Sequence, residues 1–515
     1  MKSKHVFLFM LFFSFSSIFA ENFKIENVEY KIQGLTTQNS LKKLIPIDKK
    51  TIFKSEGEFN KYLDNLKISF LDTRVFETVD IEILSFEKQS LYTKVDLLIS
   101  TKDSWNLIAI PYPSYDSNTG FKLRLKIKDY NFLGSLNVFD CSLNYEYDLE
   151  KDKNYIKFDF VVPFPTINLF SFDTSFLIDF DLSYVVGNKS PGYKTGQSIV
   201  FSRKFSKNIA LEFSVNNNIY VEPSQETMDK QFFVEDTLSL SFPIKLATIN
   251  NISSIMWTPR VNFNFNWNIN GINTRIDRSL SSFKDLYDPS LSFGHNIYYS
   301  NITWKNNFRK GFDFSIAQLF NYNFNSKSFT SAININSHIH NIITNHFGLS
   351  TQLQLFINPD GNYSEKGSLL RGIKNDLYFT NSAIIGNFDL PIKLFQTDWV
   401  SFFDNLGLNW NWTKLFDFEF QINPFFDMSI GYNPYTKTTY LIEDGFYSNG
   451  FEILVYPNKM KSVTARVSLG FDTVKTLKNI GKNLDFVDKL TEKLFNTNWR
   501  TGSEWEIYIG VGLFY

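Results

Sequence analysis

The sequence predicts a membrane β protein, an antiparallel transmembrane β-barrel preceded by one small α+β domain. The first observation is an N-terminal pattern typical of an export signal, with cleavage expected after Ala20. The second is that apolar and polar residues alternate from Trp105 onward over roughly 400 residues, as they do in barrel strands. The third is that no later segment has about 18 consecutive apolar residues, so a mature protein in a membrane would have to cross it with a closed sheet.

Residues 1–20 have the features of a signal peptide. Lys2 and Lys4 form a basic region, and residues 6–19 are apolar apart from a few serines. This run is too short to span a bilayer as a helix, and polar sequence follows it at once. We therefore expect a cleaved signal, with an uncleaved anchor as the alternative.

Composition narrows the classes of function. The 52 Lys and Arg residues and the 53 Asp and Glu residues give a net charge of −1, which favours no nucleic-acid partner. Aromatic residues make up 17% of the chain, which suits a barrel with lipid-facing and interfacial rings. The only cysteine, Cys141, excludes an intrachain disulfide and a thiolate zinc site. His338 and His340 share a strand face, and we interpret them as a polar pair because no acidic or cysteine partner is evident in the sequence.

No phosphate loop, nucleophile elbow or metalloprotease motif occurs in the sequence. We therefore predict no catalytic residue, no cofactor and no metal, and we expect the chain not to be an enzyme.

Residues 21–103 predict the α+β domain. Apolar and polar residues alternate, as in strands, over residues 23–33, 75–84 and 90–100. Apolar residues have helical spacing over residues 40–45 and 56–71. The predicted order is β-α-α-β-β.

Residues 104–515 predict the barrel. Segments 121–128, 261–268 and 416–422 each place apolar side chains on one face and polar ones on the other. The last strand is expected at 504–515, with Gly510 and Gly512 on the face opposite the apolar stripe and Tyr515 as the final aromatic residue. Residues 474–495 have helical spacing, and we expect a helix in the last outer loop.

Residues 397–406 interrupt the strand pattern with a helical one. Thr397 can cap the N-terminus, Asp398 suits the first turn, and Gly407 suits the position just past the end. We predict a short amphipathic helix in a turn on the periplasmic side, which leaves five strands after residue 373. The apolar stripe consists of Trp399, Phe402, Phe403 and Leu406.

Leu370, Arg371, Gly372 and Ile373 lie in a polar, glycine-rich loop between two predicted strands. An arginine at this place is expected to point into the barrel lumen and to meet an acid. The four residues look like the [VL]-R-G-[FYI] signature of the BamA/TamA/FhaC superfamily, whose outer-membrane barrels insert or translocate other proteins. Residues 129–134 resemble the D-x-N-[LWF]-x-G stretch of that superfamily, and 72–79 resemble a phrase of its periplasmic POTRA module.

The resemblance implies an acidic partner for Arg371 on the strand after next, in an F-x-D-x-G stretch. Asp404 and Asp427 compete for this role. Asp404 falls on the predicted helix, and on a strand it would share the apolar face, so we predict Asp427, which lies on the more polar face of its strand. Asp389, in a segment that resembles N-x-E-[LY]-x-[FP], is the second predicted partner.

The resemblance also implies a strand number. The family has 16 strands with eleven before the signature loop, whereas the sequence has up to thirteen strand-like runs there. The asparagine-rich stretch 289–358 could be long outer loops or additional strands. We expect 16 strands, with 18 as the alternative.

The family resemblance also implies a function. A BamA/TamA-type protein would be an outer-membrane insertase or translocase whose first and last barrel strands form a seam that opens toward lipid. Its POTRA-like domain, in the periplasm, would receive unfolded outer-membrane or secreted clients, with periplasmic accessory proteins as further partners. The alternative is a passive porin or a structural surface barrel.

Overall fold

The computed structural model describes residues 22–513 except for 48, 74, 90, 150, 222–231, 250–252, 268–288, 325–326, 361–362, 459–463 and 501–503. The predicted signal peptide, residues 1–20, and Tyr515 lie outside the described residues. The chain divides into two compact units after Ser104. None of the described helices has the length and apolar character needed to cross a membrane.

The first unit is a mixed sheet with two helices. In the sheet order β2-β1-β4-β3, β1 and β4 are parallel and the other neighbours are antiparallel. The short strand β2, which pairs with the start of β1, was absent from the predicted order. The elements are β1 (Phe23–Gln33), α1 (Gln38–Leu44), β2 (Ile52–Phe53), α2 (Glu56–Asp72), β3 (Phe76–Lys88) and β4 (Thr93–Asp103).

Helix α2 covers this sheet with an apolar face. Its N-terminus is capped by Ser55, whose hydroxyl accepts from the Glu58 amide, while the Glu58 carboxylate accepts from the Lys54 amide. Phe59 on α2 stacks on Phe23 of β1 with ring centroids 5.3 Å apart. The buried residues of α2 are Phe59, Tyr62, Leu66 and Phe70.

The second unit is a closed barrel. Within the residues that the structure describes it has 18 antiparallel strands, some of which continue as a short second segment after a bend. The strands from β5 to β16 are β5 (Leu107–Asp116), β6 (Gly120–Asp129), β7 (Phe139–Asp148), β8 (Lys153–Pro163), β9 (Ile167–Leu169), β10 (Phe172–Val185), β11 (Gly192–Lys204), β12 (Ala210–Val221), β13 (Phe232–Ser241), β14 (Ile244–Ile249), β15 (Ser253–Trp267) and β16 (Ser290–Ser300).

The remaining barrel strands are β17 (Thr303–Lys305), β18 (Phe308–Asn323), β19 (Ser328–Ile342), β20 (Gly348–Ile357), β23 (Ser382–Asp389), β24 (Ile392–Gln396), β25 (Phe418–Asn433), β26 (Thr438–Thr439), β27 (Phe446–Pro457), β28 (Ala465–Asp472) and β29 (Trp505–Val511). Strands β21 (Ser364–Glu365) and β22 (Phe379–Thr380) pair with each other in a separate two-stranded sheet. The helices are α3 (Trp399–Asn405), α4 (Thr473–Gly481) and α5 (Asp485–Leu494). Helix α3 lies within the predicted range 397–406, and the predicted helix at 474–495 is divided into α4 and α5.

The expectation of 16 strands is wrong, and the alternative of 18 is right. Five strands follow the Arg371 loop as predicted, and thirteen precede it because residues 290–357 contribute β16, β18, β19 and β20. Asparagine is common there because it lies at lumen-facing strand positions. Gln352 donates to Asn336 across the β19–β20 pair at 3.3 Å, and Asn262 donates to Ser292 across β15–β16 at 3.1 Å. Amide and hydroxyl side chains that bond between neighbouring strands thus account for the composition that resembled that of loops.

Candidate functional site

The loop between β20 and β23 carries the Arg371 motif and folds against the inner wall. Leu370 and Ile373 are both 1% exposed and pack in one apolar cluster with Tyr378. The Tyr378 hydroxyl accepts a hydrogen bond from Ser429 on β25 at 2.8 Å. The two apolar residues of the motif therefore fix the loop, and the arginine between them is held in one position.

Arg371 is bound by carboxylates from three neighbouring strands. Its Nε and Nη2 donate to the two carboxylate oxygens of Asp427 at 2.9 and 2.6 Å, and its backbone amide donates to the same group at 2.9 Å. Its Nη1 lies 2.8 Å from Asp389 Oδ1 and 3.3 Å from Glu452 Oε2. The predicted contacts of Arg371 with Asp427 and Asp389 are present, and Glu452 on β27 is an additional partner.

The surroundings of Arg371 keep it charged. Its guanidinium carbon lies 3.8 Å from the centroid of the Phe425 ring. Burial alone would lower the pKa of Arg371, but the carboxylates of Asp427 and Asp389 raise it well above its usual value. Glu452 is shared with Arg466 at 3.3 Å, so three carboxylates and two guanidinium groups form one buried network.

Gly372 allows the loop to approach the barrel wall. Its φ is +91°, and a Cβ there would lie 2.5 Å from the amide nitrogen of Phe471. A Cβ on Gly470 of β28 would in turn lie 2.6 Å from the amide nitrogen of Gly372. The Gly372 amide donates to Glu506 Oε2 at 2.7 Å, and Glu506 lies on the last strand.

Glu506, Glu452 and Gly470 were not among the residues singled out from the sequence. A signal for Glu506 existed, because it lies on the same face of β29 as Gly510, opposite the apolar stripe. An acid on that face of a barrel strand indicates a lumenal contact. Gly470 carried no such signal, because its need for a small residue depends on the loop that packs against it.

The barrel closes between its last and first strands, β29 and β5. In the described residues, Tyr508 pairs with Asp116 and Ile509 with Tyr115, and the Ser117 amide donates to the Ile507 carbonyl at 3.0 Å. Strand β5 pairs with β6, by contrast, along its whole length. The closure is therefore short, and most of the outer edge of β5 has no ladder partner among the described residues.

Two prolines explain where this pairing stops. The Tyr130 amide donates to the Asn106 carbonyl, and this bond fixes the alternation along β5. The backbone groups of the even-numbered residues of β5 bond to β6, and those of the odd-numbered residues point toward β29. Pro111 and Pro113 are odd-numbered and have no N–H. Continuing the register of Ile509 with Tyr115 places Val511 opposite Pro113, which is where β29 ends.

The two glycines predicted at this seam have different surroundings. Gly510 lies in β29 and pairs with Arg466 of β28. Gly512 lies beyond the strand with φ +106°, and its amide donates to the Thr464 carbonyl at 2.7 Å. Gly512 therefore keeps the register of β29 with β28, and the chain bends at this residue. Tyr515, the third predicted seam residue, lies outside the described residues.

The Arg371 loop contacts both sides of the closure. Gly372 bonds to Glu506 of β29, and the Asn375 amide donates to Asn118 in the turn after β5 at 3.2 Å. A cavity of about 260 Å³ lies beneath the loop, lined in part by Arg371, Arg466, Glu506, Tyr508 and Asp116.

The histidines on β19 have polar partners. His338 Nδ1 lies 2.7 Å from Asp313 Oδ1, and His340 Nδ1 lies 2.8 Å from the Ser350 hydroxyl. This acidic partner is not evident in the sequence, because Asp313 is distant in the chain and reaches His338 only through the β18–β19 pairing.

No protein-family model and no curated protein matches the chain. Among solved structures, CdiB from Escherichia coli is similar with a TM-score of 0.51 and 10% identity over 96% of this chain and 76% of that one. CdiB from Acinetobacter baumannii has a TM-score of 0.50 and 10% identity over 95% and 73%. BamA from Haemophilus ducreyi lacking POTRA domains 1–3 has a TM-score of 0.40 and 11% identity over 94% and 84%. At 10% identity the likeness to CdiB shows the fold alone, which is the barrel fold that the sequence predicts.

Proposed function

We propose that this chain is an outer-membrane protein insertase or translocase, and not an enzyme, in which client strands enter through the closure between β29 and β5. The observation that carries the proposal is the interruption of this closure at Pro113, which leaves the outer edge of β5 without a ladder partner in the described residues. An exposed strand edge is a template for another strand. The backbone carbonyls of Pro111 and Pro113 remain as acceptors for a client, although these residues cannot donate.

The network around Arg371 supports an asymmetric opening. The loop is bound to β23, β25 and β27 through the three carboxylates, and to β29 through Glu506. On the other side of the closure, the Asn375 backbone amide donates to the Asn118 side chain at 3.2 Å, with no carboxylate–guanidinium pair described between the loop and β5. Opening would therefore move β5 and leave the last strands braced by the loop.

The first unit is proposed to act as a POTRA-like periplasmic domain. Strand β3 lies at one end of its sheet, and its outer edge has no partner strand among the described residues of this unit. An unfolded outer-membrane or secreted protein could add a strand to that edge. Periplasmic accessory proteins are proposed as further partners on the same grounds.

Depletion of this protein followed by quantitation of other outer-membrane barrels tests the proposal. An assembly role predicts a loss of at least one other barrel from the membrane. Complementation with a variant carrying Pro111→Val and Pro113→Val should fail, whereas Ala109→Val, a matched change on the same strand, should restore assembly. A passive porin or structural barrel predicts unchanged levels of all other barrels, and that result would reject the proposal.

A further inference from the structure

The connection between β24 and β25, residues 397–417, is folded but leaves its largest side chains uncovered. The Thr397 amide donates to the Phe418 carbonyl at 2.9 Å and the Trp399 amide to Asp417 at 2.8 Å, so its base is closed. Asp398 caps α3 by accepting from the Ser401 amide at 3.1 Å. We call this segment the aromatic turn. Its exposed large apolar side chains are Phe402, Leu406, Leu408, Trp410, Trp412, Leu415 and Phe416.

The rings of the aromatic turn form a continuous ridge. Ring centroids are 4.9 Å apart for Phe403 and Trp410, 6.1 Å for Trp410 and Trp412, and 5.7 Å for Trp412 and Phe416. Trp412 nevertheless remains 58% exposed and Phe416 61% exposed. An ordered apolar surface of this kind marks an interaction site rather than a solvated loop.

The ridge continues the outward face of the barrel wall. Leu394 and Phe395, on the strand that leads into the turn, are 52% and 50% exposed, and Phe395 stacks on Phe420 with centroids 5.1 Å apart. Outward-facing apolar residues of a transmembrane barrel contact lipid. The surface that meets lipid along β24 and β25 therefore runs without a break into the turn.

Composition and position agree with a lipid interface. Three of the nine tryptophans of the chain lie in the aromatic turn, and tryptophan is enriched where a bilayer meets water because its ring is apolar and its N–H is polar. The alternation of antiparallel strands places the turn at the barrel end where β5 begins, opposite the Arg371 loop.

We propose that residues 397–417 are an interfacial anchor that binds the phospholipid bilayer, with Trp410, Trp412 and Leu415 inserted at the boundary between headgroups and acyl chains. The proposal requires the barrel to lie in a membrane, but it is independent of the insertase role. An anchor beneath β23 and β25 would hold the strands that carry Asp389 and Asp427 at a fixed height in the bilayer.

Site-directed fluorescence in liposomes tests the anchor. The full chain with Cys141→Ser is labelled with an environment-sensitive fluorophore at Leu415→Cys, at the neighbouring Lys414→Cys, or at Phe426→Cys on the outer wall, and is reconstituted in phosphatidylethanolamine and phosphatidylglycerol. The label at 415 should be quenched by nitroxide-labelled lipid at a depth of about 5–10 Å and should be protected from iodide. The label at 414 should be more accessible to iodide.

Three results would overturn the anchor. If iodide quenches the label at 415 as strongly as that at 414, the turn lies in water. If the label at 415 is protected from both iodide and the lipid quencher, a protein surface covers the turn instead of lipid. Absence of lipid quenching at 426 would show that the wall itself is outside the bilayer and would reject the membrane placement as well as the anchor.

Discussion

Replacing Pro111 and Pro113 with valine should lengthen the closure between β5 and β29. The change restores two N–H groups at positions that face β29, and both prolines are on the exposed, outward side where valine is suited to lipid. Continuing the observed register, the new donors would lie opposite Leu513 and Val511.

The two added hydrogen bonds set the expected gain in free energy of the closed seam. Each backbone hydrogen bond contributes about 1 kcal/mol net, so the closed state should gain about 2 kcal/mol. Because about 1.4 kcal/mol corresponds to a factor of ten, the ratio of open to closed seam should fall about 30-fold. Client assembly that depends on opening should slow by a factor of similar order.

Hydrogen exchange followed by mass spectrometry measures this change on the reconstituted barrel. Peptides that contain residues 505–513 should exchange more slowly in the double variant than in the unsubstituted chain, and Ala109→Val should leave them unchanged. Unaltered exchange in a folded double variant would refute the role assigned to the prolines. Slower exchange with unaltered client assembly would refute the seam as the route of the client.

Further substitutions test the loop and the first unit. Arg371→Ala should destabilise the seated loop by about 3–5 kcal/mol because it leaves buried carboxylates without their cation. Limited proteolysis of residues 367–377 should therefore increase, and Arg371→Lys should have an intermediate effect. Gly372→Ala should likewise release the loop because its Cβ would overlap the Phe471 amide, whereas Gly407→Ala, with φ +76° and open space, should have a smaller effect on stability. Ser55→Ala should destabilise α2 by about 1 kcal/mol, measured by amide exchange of residues 56–72 in the full chain.

Each of these three expectations would be contradicted by a specific result. Unchanged proteolysis in Arg371→Ala would mean that the apolar cluster alone seats the loop. Equal effects of Gly372→Ala and Gly407→Ala would attribute the effect to backbone strain rather than to the close approach at β28. Unchanged exchange in α2 would mean that the Ser55 hydroxyl contributes nothing to the helix.

The family resemblance implies an acidic partner for Arg371, and Asp427 could be chosen over Asp404 because strand parity is a local property. Alternate residues of a strand face opposite sides, so the polar face around Asp427 was visible in the sequence. The helix at 397–406 was predictable for a similar reason, since its apolar spacing differs from that of a strand. The choice of Asp427 and the helix prediction each required only the neighbours of the residues along the chain.

The role of Pro111 and Pro113 could not be predicted in this way. Whether a missing N–H weakens the β5–β6 ladder or the closure depends on which neighbour that N–H would face, and only the register shows this. Strand number was misjudged at 290–357 because asparagine disfavours strands in general but suits a polar lumen. Strand β2 was missed because two residues are too few to form a pattern.

The hydrogen bond from Gly372 to Glu506 has a consequence for biosynthesis. Glu506 belongs to the last strand, so the loop cannot complete its contacts until the C-terminal end of the chain has joined the barrel. Complete seating of the loop is therefore expected to follow the pairing of β29. We expect a chain shortened before residue 505 to leave the Arg371 loop sensitive to limited proteolysis even where the earlier strands have paired.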